Sequence, residues 1–149
     1  MAGFVLVILG ACGVPSEVGE LHRQALDSER TAVGALNQLT NNSSAADVAK
    51  IRAQYEEAAG AAREVRERLR ELLAGTGGGI YSAEKIAEAS QLNDDLLRCH
   101  ETLEERANEA FRFVQSGRTR RGTVKDVWGL VDPRTCFDEL APAWDVLLQ

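Results

Sequence analysis

Histidines and carboxylates are the side chains of this sequence that could perform acid–base or metal chemistry. His22 and His100 have no serine, cysteine or carboxylate at a spacing typical of a nucleophilic triad. A carboxylate metal site in a helical bundle requires Glu-x-x-His motifs on facing helices. Glu17, Glu20 and Glu101 lie at other spacings from the two histidines. We therefore predict that both histidines are surface polar residues.

The three cysteines, Cys12, Cys99 and Cys136, are the remaining candidates for covalent or metal chemistry. Their number is odd and they lie far apart without Cys-x-x-Cys spacing, so the sequence predicts neither a disulfide framework nor a zinc site. A reducing compartment fits this pattern best. Cys99 falls on an apolar helical stripe, and we predict that it is a buried small hydrophobic residue rather than a reactive thiol.

Two short motifs are weak candidates for ligand binding. Residues 75–79 are rich in glycine, but no Lys-Ser or Lys-Thr follows them and no strand precedes them, which excludes a phosphate-binding loop. Asn93, Asp94 and Asp95 are consecutive on a predicted helix, so they point in different directions and cannot converge on one cation. The sequence thus predicts no metal site, no cofactor and no enzymatic activity.

The composition is that of a helical protein with a charged surface. Of the 149 residues, 44% are hydrophobic, 27% are charged and 5% are aromatic, which is typical of one domain with tails. The net charge of −6 argues against a nucleic-acid partner. We interpret the basic cluster in residues 118–125 as a solvated linker, with contact to acidic lipid headgroups, as on a phosphoinositide membrane surface, as the alternative.

Three segments have apolar residues at steps of three and four, and together they predict an all-α, antiparallel three-helix bundle over residues 16–115. The first follows Pro15, with Ser16 as its predicted cap, and extends to Leu39. The second follows a predicted capping box of Ser44 and Asp47, and its apolar seam runs from Val48 to Leu72. The third starts at Ser82. Residues 116–149, which mix acidic and aromatic side chains, are predicted to be a flexible tail.

We predict that residues 1–15 are a separate segment, either an apolar leader or the truncated end of an upstream domain. The run over residues 4–9 has no basic residue before it and is too short to span a bilayer. Leu9-Gly10-Ala11-Cys12 is similar to a bacterial lipoprotein cleavage box, which would make the chain membrane-tethered or secreted. The alternatives are a stray strand, or the end of an upstream domain cut off by an incomplete gene model.

The third segment contains Ser90-Gln91-Leu92-Asn93-Asp94-Asp95-Leu96 after two seam-forming helices. This arrangement resembles the GAT domain, the three-helix module of the GGA and Target-of-Myb (Tom-like) sorting adaptors, whose last helix carries an Asn-Asp-x-Leu element. The resemblance covers about residues 16–110 and is closer to the Tom-like branch. It implies a VHS domain upstream, so the chain would be either a free-standing fragment or incomplete at its N-terminus.

The resemblance implies binding of ubiquitin or ubiquitinated cargo, and of other endosomal adaptors. The family's ubiquitin face looks like two leucines and an aspartate at steps of four, and the matching positions here are Ile86, Ser90 and Asp94. Ser90 departs from the family pattern. The implied location is cytoplasmic, peripheral to endosomal and Golgi membranes. The alternative function is a generic helical-bundle scaffold or self-association module without ubiquitin binding.

Overall fold

The computed structural model describes residues 13–77, 79–116 and 133–149. Within these ranges the protein is all-helical, with four α-helices and no strand. They are α1 (Ser16–Leu36), α2 (Ala45–Gly75), α3 (Ala83–Gln115) and α4 (Pro133–Leu147). None of the helices in the described ranges is long and apolar enough to cross a membrane.

The helix boundaries follow from local side-chain chemistry. The predicted capping box at the start of α2 is confirmed, because Ser44 Oγ accepts a hydrogen bond from the Asp47 N–H and Asp47 accepts one from the Ser44 N–H. The third helix was predicted to start at Ser82; it starts at Ala83, and Ser82 is its N-cap, accepting from the Lys85 N–H. The predicted cap of α1 is wrong: Pro15 occupies the N-cap position and Ser16 is already helical.

The apolar stripes predicted from the sequence form the core. On α1 the six predicted positions from Val18 to Leu39 are all buried, the last of them in the turn after the helix. On α2 the predicted seam is buried as far as Leu69, after which Leu73 takes the core position in place of half-buried Leu72. Short connections place α1, α2 and α3 side by side as antiparallel neighbours.

The main correction concerns the predicted flexible tail. Residues 133–147 form α4, which packs along α3 and contributes Phe137, Trp144 and Leu147 to the core. These residues lie at intervals of seven and three, so they share one helical face. Pro142 lies within α4 on its exposed side. The basic cluster and Trp128 lie in residues 117–132, outside the described residues.

Candidate functional site

Five polar side chains lie in the interior of the helical bundle and contact one another. They come from the three long helices, and each has less than a tenth of its surface exposed. We call this set the buried polar cluster; it consists of His22 and Glu29 on α1, Arg66 on α2, and Asn93 and His100 on α3.

Arg66 is the centre of the cluster. Its Nε and Nη2 donate to the two carboxylate oxygens of Glu29 at 2.8 and 2.9 Å, which is the bidentate geometry that arginine and carboxylates favour. Its Nη1 contacts His22 Nδ1 at 2.9 Å and Asn93 Oδ1 at 3.5 Å. Asn93 returns a hydrogen bond from Nδ2 to the Arg66 carbonyl oxygen at 2.9 Å. Every nitrogen of the guanidinium is thus engaged.

These contacts fix the proton positions on the histidines. Because a guanidinium can only donate, His22 Nδ1 must accept from Arg66, and the ring proton of His22 lies on Nε2. His100 Nε2 lies 3.0 Å from Glu29 Oε1 and donates to it. Glu29 therefore joins α1 to α2 through Arg66 and to α3 through His100.

The fourth helix covers the cluster with aromatic rings. Trp144 stacks on His22 with ring centroids 4.1 Å apart and planes inclined by 15°. Its ring lies 6.0 Å from the Arg66 Cζ. Phe137 meets His100 edge to face at 5.4 Å.

A disulfide between Cys99 of α3 and Cys136 of α4 holds this cover in place, with Cα atoms 6.0 Å apart. The prediction of no disulfide is therefore wrong, although Cys99 is buried as predicted. The spacing of 37 residues between the two cysteines contains no local pattern that would reveal the pair. Only the packing of α4 on α3 brings them together.

Burial and charge shift the pKa values in the cluster. Burial and the neighbouring Arg66 charge lower the pKa of His22 to about 4. Burial alone would raise the pKa of Glu29, but the hydrogen bonds from His100 and Arg66 outweigh it and lower the pKa to about 2. At neutral pH the cluster therefore holds an ionised carboxylate, a guanidinium and an uncharged His22.

The prediction that both histidines lie on the surface is wrong. The signal that could have corrected it is their position on the apolar stripes. His22 and Glu29 are seven residues apart, as are Asn93 and His100, so each pair shares a helical face. The polar atoms of the cluster are directed at one another under the aromatic cover, and this arrangement stabilises the packing of the helices.

Among the described residues, no three His, Cys, Asp or Glu side chains converge as a metal site would require.

The predicted ubiquitin face lies on the surface of α3. Ile86, Ser90 and Asp94 occupy successive turns, and each is half-buried. Ile86 packs against the edge of the core. Asp94 Oδ1 accepts from Arg70 Nε of α2 at 3.0 Å, between side chains that are 44% and 49% exposed. We call these three residues the α3 strip.

Comparisons with protein-family models, with curated protein sequences and with solved structures find no match to this chain. The function must therefore be inferred from its residues.

Replacing Arg66 with methionine should destabilise the fold by about 3–5 kcal/mol, because Glu29 would remain as a buried charge without its cation. Urea unfolding followed by circular dichroism measures this free energy. A second change, Glu29→Gln, should recover part of the loss. The matched control is Arg63→Met on the same helix: its ion pair with Glu104 is exposed, and its loss should cost less than about 1 kcal/mol. Equal costs for the two single variants would contradict a stabilising role for the buried pair.

The stability of the fold should decrease in acid because His22 titrates. Its folded pKa of about 4 lies below the ordinary value of 6.5, so the stabilisation is complete above pH 6.5 and is lost as the pH falls towards 4. Between pH 7.5 and pH 5 we expect a loss of about 2 kcal/mol in the free energy of unfolding. His22→Asn retains an acceptor but cannot titrate, so most of this pH dependence should disappear. An unchanged profile in that variant would rule out His22 as its source.

Proposed function

We propose that this chain is a binding module that recognises ubiquitin, free or attached to cargo, through the α3 strip. The observation that carries the proposal is that Ile86 and Asp94 lie two turns apart on one helix face and both remain partly accessible. An aliphatic group beside a carboxylate is complementary to an apolar surface with a basic rim. The ionised groups of the buried polar cluster, in contrast, already satisfy one another.

The contact between Asp94 and Arg70 is compatible with binding to a partner. Both side chains are nearly half exposed, and ion pairs of this kind contribute about 0–1 kcal/mol. A cation on the partner can therefore replace Arg70 at low cost. The released guanidinium would retain its contact with Glu67 at 3.0 Å.

The small area of the α3 strip limits the expected affinity for ubiquitin. Ser90 occupies its centre and contributes little apolar area compared with an aliphatic residue. Ile80, which is 70% exposed, is a second apolar side chain six residues before Ile86, in the turn that precedes α3. We expect dissociation constants in the high-micromolar range, typical of weak and transient contacts.

The resemblance to sorting adaptors extends this proposal to its setting. The chain would act in the cytoplasm at endosomal or Golgi membranes, together with other endosomal adaptors. Contact with a phosphoinositide surface would use the basic residues between 118 and 125, which lie outside the described residues. Recognition of ubiquitin is the part of the proposal that variants of the α3 strip test directly.

One observation favours a second candidate. Disulfides persist in oxidising compartments, so the Cys99–Cys136 bond favours a membrane-tethered or secreted helical protein. The apolar run of residues 4–9 and Cys12 are the sequence features that agree with it. In that setting the bundle would bind a partner other than cytoplasmic ubiquitin.

Titration of the isotope-labelled full chain with ubiquitin, followed by NMR, tests the first candidate. We expect saturable shifts at α3 strip residues, which Ile86→Ala and Asp94→Ala should abolish. Asp95→Ala is the matched control, because this neighbouring carboxylate bonds to Gln91 and Arg98 on its own helix. Its shifts should match those of the parent chain. Absence of shifts at millimolar ubiquitin would refute the proposal and leave a scaffold or self-association role.

The thiol state in cells separates the two candidates. Cells that produce the full chain are quenched in acid, alkylated before and after reduction, and analysed by peptide mass spectrometry. The cytoplasmic candidate predicts that Cys99 and Cys136 are alkylated without reduction. The tethered or secreted candidate predicts that both react only after reduction, and that the chain is recovered outside the cytosolic fraction.

A further inference from the structure

The fourth helix is attached very differently on its two sides. Towards α3 it is held by the Cys99–Cys136 disulfide and by the contact of Phe137 with His100. Towards α1 its central contact is the stack of Trp144 on His22. The covalent attachment is therefore entirely on the α3 side.

The seam between α4 and α1 is open on both sides of that stack. On one side lies a groove of about 240 Å³ whose lining includes Leu26 and Val33 of α1 and Ala141 of α4. On the other lies a groove of about 490 Å³, lined in part by Gly19 and Leu148. The stack of Trp144 on His22 thus lies between two surface grooves, and in the second of them Leu148 packs closely against Gly19.

Closing α4 over the cluster also leaves polar atoms without partners. Trp144 Nε1 and His100 Nδ1 are buried, and neither has a hydrogen-bond partner among the described residues. Each such atom carries a desolvation penalty that water would remove. Trp144 belongs to α4 and the His100 ring contacts Phe137 of α4, so lifting α4 would admit water to both rings.

From these three observations we propose that α4 is a lid over the buried polar cluster, locked shut by the Cys99–Cys136 disulfide and opened by its reduction. The bond keeps Phe137 and Trp144 at high effective concentration over the cluster. Without it, α4 is held by noncovalent contacts alone, and the grooves along the α1 seam and the two unpartnered atoms lower the cost of lifting it. Opening gives solvent and ligands access to the Arg66–Glu29 pair and to both imidazoles.

The opening reaction is a thiol–disulfide exchange with a dithiol reductant. A thiolate of the dithiol attacks the Sγ of Cys136, which is the more exposed of the two cysteines, and Cys99 leaves as a thiolate that takes up a proton. The second thiol of the reductant then attacks the mixed disulfide and releases Cys136. One disulfide is reduced, one dithiol is oxidised, and two electrons and two protons are transferred.

Tryptophan fluorescence of the full chain tests the lid. The variant Trp128→Phe leaves Trp144 as the only tryptophan, and Cys12→Ser prevents disulfide exchange with Cys12. In the oxidised protein, acrylamide should quench Trp144 weakly, since the residue is fully buried. After addition of dithiothreitol we expect the quenching constant to rise several-fold, while far-UV circular dichroism retains the helicity of α1, α2 and α3.

A second chain that also contains Cys99→Ser and Cys136→Ser should be quenched strongly with or without reductant. Because dithiothreitol acts on protein that is already folded, the result does not depend on whether this variant folds. Equal quenching before and after reduction would overturn the proposal. A loss of most of the helicity on reduction would also overturn it, because the disulfide would then hold the whole fold and not a lid.

Discussion

The buried ion pair of Arg66 and Glu29 is the interaction on which the arrangement of the helices depends. Both side chains are almost completely inaccessible to solvent. The cost of removing two charges from water is offset only when all their hydrogen-bond donors and acceptors have partners. His22, Asn93 and His100 fill those positions from α1 and α3. A shift of one turn in any long helix would leave a buried charge unpaired. We infer that the pair sets the register of the bundle, whereas the apolar stripes alone would tolerate several registers.

The ion pair in turn explains what the fourth helix adds to the three long helices. Its electrostatic energy is large only where water is excluded, and three helices leave one side of the cluster uncovered. Trp144 and Phe137 close that side with flat rings that fit over imidazoles. The same aromatic cover leaves two polar atoms unpartnered. The hydrogen bonds of the buried polar cluster therefore restrict the helix arrangement strongly, whereas the aromatic contacts of α4 that cover the cluster restrict it less.

The three long helices could be predicted because their evidence is local. Steps of three and four between apolar residues, and a capping box at Ser44, depend only on neighbours in sequence. The buried polar cluster depends on contacts between residues 27 to 71 positions apart, so Arg66 has the same local pattern as an exposed arginine. In α4, Phe137 and Trp144 already shared a face, but the helix is short and contains Pro142, which is typical of a tail. For the α3 strip, the common face of its residues was predictable, and the bond from Arg70 to Asp94 was not.

A hydrogen bond from the Ser82 N–H to the Gly13 carbonyl oxygen distinguishes one end of the helical bundle from the other. It joins the chain entering α1 to the start of α3, and the groove beside it is also lined by Lys85 and Gln149. Both ends of the described chain therefore leave the bundle at one pole. A group attached directly at Gly13 or at Gln149 would lie at the pole that also holds Lys85 and the start of α3. The turn between α1 and α2 would then project into solution, roughly the 45 Å length of α2 away.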